Sequence, residues 1–514
     1  ILLKLIIHAP ALGQYGFFGD EFYYIACSER LAWGYVDHPP LAPALLAALR
    51  AVFGESIYVL RIAVALVGAG TAVLCAAMVR AMGGRLFAQL LAGLAILAAP
   101  IYTGIDKFYT TNTFEIFYWT LALYLLVRLC MRGTDLALWL ACGAVLGLGL
   151  LNKHSVVFLG AGMAVGMLLT PARRWLRTPG PYLAAGVAFA IFAPHLIWQH
   201  AEGWPTLEFM QNARAHKNYF DAGEFLSAQI LQQHPLLLPL WLGGWLYLAF
   251  ARGVERLRIF AVTYAALLLI FLVFEGKTYY LTPIYPVLYA AGALALDRWL
   301  ARRGAAVART LRLALIALVV MAGAALAPLS LPLLAPERYL AYEAALGIAP
   351  PKLEKQGPSR MPQHFAGMFG WPQQAAAVLE AVQAAGADSD APVLVLASSY
   401  SRAGSVEYFA RQSGQTAFVI SQHNSYYDWS EALLDTLPAN GDRPGAVVAF
   451  GFSRETLAAH FAYVRLFRTV VCEFCLASHR QSEIYIATRP AGSSKSSGSF
   501  ASFRAWFRGL RRFI

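Results

Sequence analysis

Apolar runs of about 16 to 24 residues alternate along this chain with short polar connections, a spacing that suits helices crossing a bilayer. The runs lie at 57–79, 86–104, 113–130, 136–151, 155–170, 181–198, 234–250, 259–274, 280–296 and 311–334. An opening run ends near Phe18, contains Lys4 and His8, and is barely long enough to span. It reads as a first transmembrane helix without its cytoplasmic start, not as a cleavable signal peptide. Counted with the rest, it predicts about eleven transmembrane helices.

The arginines mark one side. Arg80 and Arg85, Arg128 and Arg132, and Arg173, Arg174 and Arg177 fall in alternate connections. So do Arg252, Arg256 and Arg258, and Arg298, Arg302, Arg303, Arg309 and Arg312. By the positive-inside rule these connections are cytoplasmic. The opposite face receives Asp20 to about Glu55, the turns at Asp106-Lys107 and Asn152-Lys153-His154, the loop Gln199–Gln233, and Glu275–Tyr280. An odd number of spans puts everything after Pro336 on that outer face as well.

Beyond Pro336 the pattern changes. Short apolar runs at 391–398, 417–420, 446–450, 463–471 and 482–488 alternate with helical stretches at 406–412 and 454–461. Strands alternating with helices predict a small extracytoplasmic α/β domain over 335–490. The last segment, 491–514, is Ser/Gly-rich and then basic and aromatic (FRAWFRGLRRFI), which suits a loose tail ending in a membrane-surface helix. The transmembrane module then covers 1–334.

Composition supports a polytopic α-helical membrane protein: 58% of the 514 residues are hydrophobic and 14% charged, against about 25% charged in soluble domains. A net charge of +12 would suit nucleic acid, but the basic residues recur between apolar runs instead of forming a patch, so no nucleic-acid partner is expected. Six cysteines form no metal-binding array; Cys472-Glu-Phe-Cys475 lacks a second ligand pair and leaves a local disulfide or two plain thiols.

Chemistry gathers on the outer face. Gly19-Asp20-Glu21-Phe22-Tyr23-Tyr24 sets two carboxylates beyond the first apolar run, where charge is costly unless used. On a helix the two diverge by about 100°, so one faces a cavity while the other pairs or caps; both solvating a helix end is the plain alternative. Tyr35-Val36-Asp37-His38-Pro39-Pro40 closes the loop, with His38 a proton or cation donor or simply an interfacial histidine. Asp106 and Lys107 are cavity residues or a solvated loop pair. Glu115 heads into an apolar run and needs a partner. Lys153-His154 attracts a phosphate or only solvates its turn. Glu275-Gly276-Lys277-Thr278-Tyr279-Tyr280 offers an ammonium flanked by hydroxyls, suited to a phosphate, with snorkelling of Lys277 as the bland reading.

Taken together and in order, GDEFYY at 19–24, GYVDHPPL at 34–41, DKFYTTNTFEIFYW at 106–119, GLLNKHS at 149–155, WPTLEF at 204–209, GKTYYLTPIYPVL at 276–288 and SQHNSYYDW at 421–429 resemble GT-C glycosyltransferases that use polyprenyl-phosphate sugars. The resemblance is to the protein O-mannosyltransferase-like and lipid A aminoarabinose transferase families and covers nearly the whole chain. It implies a lipid-linked sugar donor at the outer leaflet and a catalytic base in the first outer loop, here Asp20 with Glu21 beside it. The lipid A enzymes carry a lysine before the paired prolines; His38 stands there, which shifts weight for the donor phosphate onto Lys277, Tyr279 and Tyr280, with His38 as a further contact.

The resulting expectation is an inverting transfer of one sugar, from polyprenyl phosphate to a lipopolysaccharide, glycan or protein acceptor, with no cofactor. One related branch uses a divalent metal, and Asp20 with Asp106 would be its ligands. Tyr24 and Asp37 are expected to line the cavity with Asp106, Lys107, Glu115, Lys153 and His154. The Ala/Arg-rich composition fits a bacterial inner membrane. A transporter or flippase is the alternative; such proteins place charges near mid-membrane on paired halves, and no halves match here. A non-catalytic assembly or polymer-binding protein is the other, its acids merely solvating loops.

Overall fold

The computed structural model describes residues 1–133, 135–217, 219–347, 357, 359–387, 392–436, 446–490 and 499–509. The chain divides into two compact units. The first comprises Ile1–Gln14, His38–Ala201 and Asn218–Leu353; the second comprises Tyr15–Asp37, Glu202–Lys217 and Glu354–Ile514.

The first unit is helical. Among the described residues six helices are long and apolar enough to cross a membrane: Ile57–Ala81, Thr111–Arg132, Gly180–Ala201, Glu255–Val273, Thr278–Leu300 and Ala305–Ser330. A seventh span results if Val156–Leu169 and Pro171–Arg177, bent by 104°, count as one. Leu2–Ala11, Leu41–Phe53, Leu86–Ala98, Leu136–Asn152 and Pro235–Phe250 are apolar but shorter.

The boundaries follow local chemistry. Ser56, Thr110 and Asp135 cap their helices by accepting from backbone N–H groups of the first turn, and Gly54 and Gly133 end helices at positive φ. The apolar run 86–104 breaks at Ala99, because Pro100 starts a new helix, Pro100–Ile105. The opening run is helical only over Leu2–Ala11; Pro10 tightens its end, and Tyr15 and Gly16 follow at positive φ.

Without a hydrophobic force between helices in lipid, close approach depends on small residues. Any Cβ on Gly244 or Gly292 would overlap backbone of the facing helix, Leu288 O and Leu240 O respectively. A Cβ on Gly143 would likewise overlap Ala184 backbone, and one on Gly147 would meet Ile191 and press on Ala188.

The second unit is a three-layer α/β/α sandwich. Its sheet has the order β2-β1-β3-β5-β4, with β1 (Val393–Ala397), β2 (Phe418–Ser421) and β3 (Ala446–Phe450) parallel, and β4 (Phe461–Val471) and β5 (Gln481–Pro490) antiparallel additions. Alternate residues of β1 serve opposite faces, as the two-residue period requires. Val393, Val395 and Ala397 pack with Val378, Ala381, Val406 and Ala410, while Leu394 and Leu396 pack with Leu434, Leu457, Phe503 and Phe507.

Six helices matter in this unit: α1 (Gly19–Glu29), α2 (Trp371–Gly386), α3 (Tyr400–Gln412), α4 (Ser425–Thr436), α5 (Arg454–Ala458) and α6 (Ser499–Gly509). The strand runs fall where their alternation places them. The last helix differs from expectation: Phe503 and Phe507, one turn apart on α6, are buried against the sheet. Its apolar stripe therefore has a protein partner in place of a membrane surface. Residues 491–498 and 510–514 of the expected tail lie outside the described set. Cys472 and Cys475 form a disulfide.

Candidate functional site

In the second unit the two neighbouring carboxylates separate by role. Glu21, fully buried, turns back to accept from Phe18 N at 2.8 Å, while its own N–H donates to Phe18 O at 2.8 Å. It closes the α1 N-terminus from the third helical position, the acidic half of a capping box. Asp20 is half-buried and accepts from the Tyr400 hydroxyl at 2.8 Å.

Further along α1, the Tyr23 hydroxyl donates to Asp37 Oδ1 at 2.9 Å and lies 2.9 Å from Ser425 Oγ. Burial, then the Asp37 charge, pushes the Tyr23 phenol well above its usual value, so it stays a donor. Tyr24 is buried beside it. Arg30 ends the helix with two contacts to Glu407, at 2.7 and 3.2 Å, and stacks on Trp429. Both tie α1 to the α/β unit.

The first unit holds a second cluster. Lys153 Nζ donates to Glu115 Oε2 and Asn112 Oδ1, each at 2.6 Å, and Ser155 Oγ donates to the other carboxylate oxygen. The buried carboxylate thus has its partner. The same ammonium lies 5.5 Å from the Tyr279 ring centre and 5.2 Å from that of Tyr280. Lys277 is half-buried just before the Thr278–Ile284 turn, whose start is fixed by Gln229 and Gln232 donating to Thr278, both at 2.8 Å. Glu115, Lys153, Tyr279 and Tyr280 are therefore brought together, with Lys277 two residues from the ring pair.

Other expected residues sit elsewhere in that unit. Asp106 and Lys107 are not a solvated loop pair: both are buried, Asp106 pairing with Lys4 at 2.7 Å and Lys107 donating to Ser330 O at 3.2 Å. A lysine within the first apolar run explains this, since lipid leaves neither charge an aqueous alternative. His154 Nε2 lies 2.9 Å from His195 Nε2. His38 is buried, its Nδ1 2.9 Å from Pro39 O. Among the described residues no group of three or more His, Cys, Asp or Glu side chains is arranged to hold a metal ion.

Residues 37–198 match the family described as dolichyl-phosphate-mannose-protein mannosyltransferase. The lipid A galacturonosyltransferase RgtD of Rhizobium johnstonii is 28% identical over 198 residues, 38% of this chain and 41% of that protein, so the match spans less than half of the relative. The crystal structure of ArnT from Cupriavidus metallidurans bound to undecaprenyl phosphate superposes with a TM-score of 0.63 at 17% identity, over 94% of this chain and 96% of that one. The chain has the GT-C fold of ArnT. The GT-C oligosaccharyltransferase of Archaeoglobus fulgidus, tethered to an acceptor peptide, is more distant, with a TM-score of 0.50 at 13% identity over 88% of this chain and 68% of that one.

Within this GT-C fold, several residues of both clusters escape sequence reasoning. Asn112 and Ser155 lie inside the motifs DKFYTTNTFEIFYW and GLLNKHS but carry no signal of their own. His195 is legible as an ionisable residue in an apolar run. Tyr400 is 380 positions from Asp20, and nothing local marks it.

Proposed function

We propose that this protein is a GT-C glycosyltransferase that transfers a single sugar from a polyprenyl-phosphate donor to a cell-envelope acceptor, a lipopolysaccharide, glycan or protein, with inversion. Asp20 is the base. It takes the proton of the acceptor hydroxyl as that oxygen bonds to the sugar C1, and the C1–O bond to phosphate breaks with its electron pair leaving on the lipid phosphate. Lys277, with the hydroxyls of Tyr279 and Tyr280, meets the charge of the departing phosphate.

The observation that carries this reading is the division between the adjacent carboxylates. Glu21 caps its helix, and Asp20, half-buried, accepts from the Tyr400 hydroxyl. A double-displacement route needs two carboxylates about 5 Å apart flanking C1, and a capping Glu21 does not supply the second. The positive-inside pattern supports a bacterial inner membrane with the chemistry and the α/β unit on the periplasmic side. With the six long helices and the bent pair, the shorter helices Leu2–Ala11, Leu86–Ala98, Leu136–Asn152 and Pro235–Phe250 would complete about eleven spans within local bilayer adjustments.

The test is comparative mass spectrometry of envelope glycans, lipids and glycoproteins from cells carrying the wild type or Asp20→Asn. A sugar-bearing product lost with Asp20→Asn at equal protein level supports the reading. Labelled substrate crossing vesicles with no glycosidic product in either strain sinks it.

A further inference from the structure

The parallel part of the sheet changes direction at β1. From β1 the chain passes through α3 to β2 on one side, then through α4 to β3 on the other, so the crevice beyond the carboxyl ends of β1 and β3 is a topological switch point. Open α/β sheets bind ligands at such crevices. What stands here is a buried cation.

Arg402, on the first turn of α3, is 6% exposed. Its guanidinium donates to Ser398 Oγ at 2.6 Å and Ser478 O at 2.9 Å, and lies 5.1 Å from the Phe450 ring centre. Among the described residues no carboxylate pairs with it, and its Nε has no hydrogen-bond partner. Gly451 follows β3 at φ +85°, and a Cβ there would overlap both Arg402 Nη1 and Ser398 Oγ. The bare Cα thus makes room for the guanidinium itself. Two neutral acceptors and a ring face account for its packing but leave a desolvated charge uncompensated, the arrangement that buried charges elsewhere avoid. Burial lowers Arg402 to about 10, so it remains charged at neutral pH. Ser399 caps α3 at its N-terminal, electropositive end, and Tyr400 of the same turn holds Asp20.

We propose that this crevice is an oxyanion site, and that the group it takes is a phosphate carried by the acceptor. Arg402 supplies the charge and planar donors, and the α3 N-terminus faces the same anion. The acceptor assignment rests on the glycosyltransfer reading: a phosphate held at Arg402 would anchor the acceptor in the unit that carries Asp20. The anion site itself does not rest on it.

Binding is read on the full chain in detergent micelles without turnover, so the site and the enzymatic reading fail separately. Labelled inorganic phosphate should bind the wild type and lose at least tenfold in affinity with Arg402→Gln, with Arg402→Lys intermediate. Arg402→Gln removes a buried cation and is liable to unfold the unit, so the wild type is also crystallised with tungstate, whose anomalous peak should lie within hydrogen-bonding reach of Arg402. Unchanged affinity in a folded Arg402→Gln, or no tungstate at Arg402, overturns the site. Micelles doped with phosphatidic acid, but not phosphatidylcholine, should displace the labelled phosphate. Phosphate binding that phosphatidic acid leaves untouched overturns the acceptor assignment in favour of a free-anion site.

Discussion

Two carboxylates one residue apart can be separated by a measurement on each. Glu21→Gln removes a charged acceptor from a buried helix start and should cost about 1–2 kcal/mol, read as a lowered midpoint of thermal unfolding in detergent. Under the proposed mechanism Asp20→Asn should leave that midpoint nearly unchanged and lower turnover by about 10²-fold or more, within the range of a lost general base. Lys153 and Glu115 form a pair whose carboxylate is buried. Removing one partner, as in Lys153→Met, strands Glu115 and should destabilise by about 3–5 kcal/mol. Lys153→Met with Glu115→Gln should recover part of that loss, and the double-mutant cycle reports the coupling. At this scale the sequence showed that Glu115 needed a partner, because a carboxylate in an apolar run is costly wherever the run goes. Which lysine answers is a matter of the 38 positions between them, which periodicity does not reach.

The helices and strands were legible because their periods are local. β3 occupies the five residues its apolar run occupies, and the ends of Ile57–Ala81 follow a serine cap and a polar turn. Packing between helices was not legible, since a glycine reads alike whether it faces lipid or another backbone. Gly244→Val should be costly, about 1–3 kcal/mol as overpacking, because the obstructing atoms are backbone at Leu288 and Gly292. Gly243→Val, one position away with open space around its Cβ, is the matched control, and the two midpoints in detergent should differ accordingly. Amphipathicity likewise announced α6 without naming its partner. Phe503 and Phe507 would suit a bilayer surface as well as the sheet they cover.

Across the whole molecule, the unit built on the sheet draws Tyr15–Asp37 and Glu202–Lys217 from far up the chain. An acid titration addresses this unit. Burial, then the Arg402 charge, holds His479 well below 6.5. The unfolded chain therefore takes up a proton as pH falls through about 6.5 while the folded one does not, so stability is full above that pH and declines below it by about 1.4 kcal/mol per unit until the folded group also titrates. Denaturant unfolding of wild type and His479→Gln between pH 7 and 5 should show a shallower acid decline in the variant. The chain's order of apolar and polar residues by itself determined a helical membrane protein followed by alternating strands and helices, because burial in lipid and the two helical and strand periods are properties of neighbours in sequence. Only the tertiary structure decided that Tyr400 holds Asp20, that Lys4 neutralises Asp106, and that Arg402 lies at the switch point without a carboxylate. Those pairings join residues far apart in the chain, and the energy of a charge depends on what surrounds it in space.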